Sequence, residues 1–207
     1  LAYNDFLGWV DVNMFAEACH NICNEKILNE STNRMMKEKF ILGSLQLCNH
    51  ANNIDWVDQR DYDVKFHAWT EGNVEVKTGN SPMFSHITGK AKKNIKIKLK
   101  NVYESKQQRL NLDKEFDHLM IIQIQGTFAI GFVDFATVNQ NLTAVTDGFL
   151  VNLSHDDVNI VYKKDMKKEP MDWTVDLSPK TWIMSTLAKA MGVQHTQKNI
   201  FNNKVNT

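Results

Sequence analysis

The sequence predicts an α/β domain, a mixed central β-sheet flanked by helices, and three observations point to it. In the first fifty residues, apolar side chains recur at helical spacing. From residue 54 onward, short alternating segments bounded by turn residues take over. Residues 119–125 (Leu-Met-Ile-Ile-Gln-Ile-Gln) form an apolar run suited to a strand buried on both faces.

Taken in order, Met14, Phe15, Ala18, Cys19, Ile22 and Cys23 mark an amphipathic helix over 12–28. A second helix starts at the Ser31-Thr32 cap, runs through Met35, Met36, Phe40, Ile41 and Leu45, and ends at 49–53. Ile54-Asp55-Trp56-Val57 reads as a first short strand. Residues 61–69 and 74–79 read as a β-hairpin around the polar turn Thr70-Glu71-Gly72-Asn73. In 95–100, Ile95, Ile97 and Leu99 alternate with Lys96, Lys98 and Lys100, so one face is apolar and the other all lysine. Such a face serves either as edge protection or as a path for phosphates. A polar helix over 104–116 carries Gln107 and Gln108, and strands follow at 119–125 and 128–135. Beyond 140, strands are predicted at 149–153 and 158–162, then a charged loop over 163–170. A helix opens at Ser178-Pro179, and the tail from 194 is polar. The organisation is one domain: a helical part over 1–50, a core over 54–140 and an extension over 141–207.

At 207 residues, with 43% hydrophobic and 23% charged residues, the chain is long enough for one full core. No apolar run approaches membrane-spanning length, and Leu1-Ala2-Tyr3-Asn4-Asp5 lacks a secretory pattern. Three cysteines make no disulfide framework, so a cytoplasmic, reducing setting is expected. Net charge is zero, which excludes a protein that coats polyanions indiscriminately. The charge is nevertheless uneven. Lys90, Lys92, Lys93, Lys96, Lys98, Lys100, Lys106 and Arg109 share one segment with a single acid, Glu104. That local basic surface suits a nucleic-acid groove. With 21 lysines and three arginines, few groups can read guanine in bidentate fashion.

The hairpin carries the chemistry. Residues two apart on a strand share a face, so Glu75 and Lys77 project together, and Asp63 opens the neighbouring strand. Two carboxylates and an ammonium at one place outline a site for a hard cation and a water. An acid-x-Lys tripeptide also occurs at 63–65, 104–106 and 165–167. Glu75-Val76-Lys77 stands apart by its strand context and its upstream Asp. Cys19-His20, Cys23, Cys48 and His50 could supply zinc ligands, but Cys19 and Cys23 sit on the apolar face of a helix. Glycine-rich phosphate loops and nucleophile motifs are absent from the sequence.

Asp63 and Glu75-Val76-Lys77, within the order helix, strand, hairpin, strand, helix, strand, strand, resemble the PD-(D/E)XK nuclease superfamily, with one strand more than its core. Three motif positions carry the resemblance over about residues 30–140. Tyr62 stands where that family's name places proline. The resemblance implies a restriction-endonuclease-like core (αβββαβ) and a Mg²⁺-dependent endonuclease, with Mn²⁺ as a substitute. It further implies that Asp63, Glu75 and the Val76 carbonyl hold the metal while Lys77 positions the attacking water. Glu38, on the second helix, is the candidate accessory acid. DNA is the expected partner, contacted by Lys96, Lys98, Lys100, Gln107 and Gln108, and a homodimer is plausible for cutting both strands. Restriction, repair and a phage-encoded role remain open. So does a DNA-binding or assembly domain of the same fold without chemistry, or an unrelated interaction module.

Overall fold

The computed structural model describes residues 2–24, 34–50, 52–57, 62–79, 94–100, 116–124, 127–145 and 148–166. A short 3-10 turn, Tyr3–Asp5, leads into helices α1 (Phe6–Trp9), α2 (Val12–Asn24) and α3 (Arg34–Leu47). Strands β1 (Ile54–Trp56), β2 (Val64–Phe66), β3 (Asn73–Gly79) and β4 (Asn94–Lys100) follow, then β5 (His118–Gln123) and β6 (Thr127–Asp134). Helix α4 (Phe135–Gln140) separates these from β7 (Leu142–Val145), β8 (Gly148–Ser154) and β9 (Asn159–Asp165).

Six strands form a mixed sheet in the order β1-β2-β3-β5-β6-β9, in which only the β3–β5 pairing is parallel. A smaller antiparallel sheet has the order β4-β8-β7. Strand alternation decides what each face of the large sheet buries. Val64, Phe66, Val74, Val76, Met120, Ile122, Phe128, Ile130 and Phe132 enter one core with Phe15, Cys19, Ile22, Phe40, Ile41 and Leu45 from α2 and α3. Leu119, Ile121, Ala129 and Val133 enter a second core with Ile95, Ile97, Leu99, Phe149, Val151 and Leu153 of the small sheet. The layers are therefore helices, large sheet, small sheet. Strand β5 is covered on both sides, which is why all six of its residues are buried.

Local chemistry sets the boundaries. Asp11 accepts the Met14 N–H at 3.0 Å in the first turn of α2, and Asp134 accepts the Thr137 N–H at 2.7 Å at the start of α4. That second cap ends β6 at Asp134, so Phe135 is helical although the alternation extends the strand to it. Helix α2 is described as far as Asn24, and residues 25–28 of the predicted helix lie outside the described residues. The expected loop over 163–170 begins as strand, because Lys163, Lys164 and Asp165 pair with Ala129, Phe128 and Thr127. The segment beyond 140 contributes β8 to the small sheet and β9 to the large one. The helix expected over 104–116 lies outside the described residues except for Phe116, which is buried in the second core and belongs to no helix. The predicted Ser178 helix and tail also lie outside them. Among the described residues no helix is long and apolar enough to cross a membrane.

Candidate active site

The hairpin turn is longer than its polar tetrapeptide predicts. His67 to Gly72 connect β2 to β3, with Phe66 N–H bonded to the Gly72 carbonyl at 2.7 Å. A Cβ on Gly72 would lie 2.0 Å from the Phe66 carbonyl oxygen, so only glycine fits this close approach. The turn fixes the register: Val64 pairs with Val74, and Lys65 with Asn73. Beyond Val64 the ladder is irregular, since the Asp63 N–H also reaches the Val74 carbonyl, and the Asp63 carboxylate comes into hydrogen-bonding contact with Glu75.

Because Val64, Phe66, Val74 and Val76 all face the helical core, Asp63, Glu75 and Lys77 lie on the opposite face of the sheet. Asp63 is tied down by three bonds. Its N–H donates to the Val74 carbonyl at 3.0 Å, its carbonyl accepts the Val57 N–H at 3.0 Å, and its Oδ2 accepts the Val76 N–H at 2.7 Å. Tyr62, next to it, packs against the second core. Strand parity directs the Val76 carbonyl to the same side as its N–H, towards Asp63.

Lys77 Nζ donates to Glu75 Oε1. Both side chains are substantially shielded, 17% exposed for Glu75 and 32% for Lys77. Burial raises the Glu75 carboxyl, Lys77 pulls it down, and the Asp63 carboxylate in hydrogen-bonding contact raises it again; the result is about 7. Burial works against the Lys77 ammonium, but Glu75, Asp63 and Glu38 together outweigh it and raise its pKa. Glu38 is exposed on α3, close enough for its charge to act on Lys77.

Three carboxylates thus act on one ammonium, and the surplus negative charge attracts a cation. Among the described residues no cluster of three or more His, Cys, Asp or Glu side chains is placed to hold a metal. The protein side of a cation site here would be the Asp63 and Glu75 carboxylates with a backbone carbonyl, leaving other positions to water or substrate oxygen. That donor set fits a hard divalent ion such as Mg²⁺, which keeps several waters.

The remaining predicted residues are placed as follows. Lys96 is exposed on β4, opposite Asn152 of β8. Lys98 and Lys100 hold the next alternate strand positions, opposite Leu150 and Gly148. Strand β4 ends the order of the small sheet. Gln107 and Gln108 lie outside the described residues. Cys19, Cys23 and Cys48 are buried, and burial holds their thiols above the usual range.

A second polar row was not anticipated from the sequence. Asp55, Lys65, Asn73 and Asp117 stand side by side across β1, β2, β3 and the approach to β5. The alternation Asp63-Val64-Lys65 was the available signal for its central member. No protein-family model, curated protein or solved structure matches the chain, so what it is must be argued from these residues.

Proposed function

We propose that the chain is a Mg²⁺-dependent endonuclease of the PD-(D/E)XK type that hydrolyses phosphodiester bonds of DNA. The observation that carries the reading is the meeting of Asp63, Glu75 and Lys77 on one face of β2 and β3. The strand order supports it: a helix, three antiparallel strands, then a crossover to a strand parallel to the third, as a restriction-endonuclease-like core requires.

In this reading Asp63, Glu75 and the Val76 carbonyl hold the ion. When bound, Mg²⁺ supplies Lewis-acid polarisation of the phosphoryl oxygen and a more acidic water. Asp63 can keep its orientation because the Val76 N–H pins one carboxylate oxygen. Lys77, held cationic by its acidic neighbours, orients the attacking water through an N–H and offsets the charge that builds on the phosphate. Glu38 adds a negative charge near Lys77 and serves as the accessory acid. Lys96, Lys98 and Lys100 would track the DNA backbone in an intracellular setting, and a homodimer would allow both strands to be cut.

Supercoiled plasmid incubated with Mg²⁺ tests this directly. Wild type should nick or linearise it, Mn²⁺ should substitute, and Lys77→Ala should lose at least a hundredfold in rate. A wild type that binds DNA but leaves it intact in both metals would place the chain with non-catalytic DNA-binding domains instead.

A further inference from the structure

The row beside the candidate site has an arrangement of its own. Lys65 stands directly across from Asp55 on one side and Asn73 on the other. It shares the face of Asp63 and lies two residues further along the same strand, a step of about 7 Å. An ion pair with Asp55 would be the expected outcome of that register. That pair is not made: Asp55 Oδ2 is bonded to His67 Nε2 at 2.6 Å instead. The other acid of the row, Asp117, accepts the Asn73 backbone N–H at 2.9 Å. The Lys65 ammonium instead donates to the neutral Asn73 Oδ1 at 2.8 Å. Among the described residues, then, this half-buried cation is fixed by an amide rather than neutralised by a carboxylate. One of its three N–H donors is used, and the others can meet further oxygen acceptors.

We infer that Lys65 is a positioning residue that holds a backbone phosphate adjacent to the one bound at Asp63, Glu75 and Lys77. The inference rests on the nuclease reading and extends it from the reacting phosphate to its neighbour. The distance between the two rows is on the scale of one nucleotide of a stretched strand. Asn73 preorients the ammonium on the sheet floor, while Asp55 and Asp117 each direct one oxygen to another donor, His67 and the Asn73 N–H.

The test is equilibrium binding of a fluorescein-labelled DNA duplex by anisotropy over a salt series, with Ca²⁺ replacing Mg²⁺, combined with single-turnover cleavage in Mg²⁺ at saturating protein. Lys65→Gln keeps an N–H donor for Asn73 and removes the charge. It should flatten the slope of log affinity against log salt by about 0.9, making binding about eightfold weaker at 0.1 M salt and equal to wild type near 1 M. The cleavage rate at saturation should stay within twofold of wild type, and Lys65→Arg should restore the slope. Wild-type slope and affinity in Lys65→Gln would overturn the inference while leaving the nuclease reading intact. A loss confined to the saturated cleavage rate would overturn it too, since it would place Lys65 in the chemical step. Wild type that binds with this Lys65-dependent slope but never cleaves would sink the nuclease reading and retain the phosphate contact. Wild type that does not bind DNA would remove both.

Discussion

Replacing Glu75 by glutamine removes an ionisation that the fold opposes. The carboxyl is raised from 4.5 to about 7 by burial and by the facing Asp63, against the pull of Lys77. At 1.36 kcal/mol per pH unit this corresponds to about 3 kcal/mol of native-state cost once Glu75 is ionised. The sign follows from linkage. Between pH 4.5 and 7 the folded protein binds more protons than the unfolded chain, so the Glu75 contribution to stability falls as pH rises through that window. Glutamine resembles the protonated acid and does not titrate. In EDTA, the stability of Glu75→Gln relative to wild type should grow by about 3 kcal/mol between pH 4.5 and pH 8, or about 6–12 °C in melting temperature at this chain length. Urea melts of both proteins at matched pH measure the difference and cancel the titrating groups that do not interact with Glu75, leaving its own ionisation and its coupling to Asp63 and Lys77. Adding Mg²⁺ at pH 8 should stabilise wild type more than the variant. A wild-type-to-variant difference that stays constant from pH 4.5 to 8 would refute the electrostatic account of the site.

Gly72→Ala should destabilise by about 3 kcal/mol or more, because the new methyl meets the Phe66 carbonyl oxygen, and DNA cleavage should fall with it. Chemical denaturation supplies the first number and the plasmid assay the second. His118 donates from Nε2 to the Glu71 carbonyl at 3.0 Å, so its Nδ1 accepts the Tyr3 hydroxyl at 3.0 Å. Burial lowers its pKa below 6.5, and this contribution to stability is present above pH 6.5 and lost as pH falls. NMR titration should therefore place the His118 midpoint below 6.5, and Tyr3→Phe should cost about 1 kcal/mol at pH 7.5. The three cysteines should stay unreactive to a thiol reagent in the native state and all react in denaturant, since each is buried with a raised thiol pKa. Rapid labelling of any one without denaturant would contradict that packing.

Much of this fold is legible because alternation and helical spacing report burial directly. The hydrophobic stripe of α2, the wholly buried β5 and the alternating β4 each follow from the side chains that need covering. The same rule puts Glu75 and Lys77 on one face without knowledge of any partner. What escapes is set by long-range pairing. Lys163 looks like part of a charged loop, yet it extends β9 because Ala129 of β6 offers a backbone partner. The two-sheet arrangement is equally hidden, since nothing local says that Ile95 will pair with Leu153 rather than join the large sheet. At the site, Asp63 and Glu75 could be expected to approach. The Val76 N–H that holds Asp63, and the Asn73 amide that takes Lys65 from Asp55, depend on a register fixed by Gly72.

That register has a consequence for experiments. Moving β2 by one residue against β3 would turn Val64 and Phe66 out of the helical core and, in the same motion, carry Asp63 away from Glu75. Packing and chemistry are encoded on alternate residues of the same two short strands, so neither can be lost alone by slippage. On the nuclease reading, cleavage of DNA would serve as a local probe of folding, reporting whether this one pair of strands is aligned where a spectroscopic signal averages over the whole chain.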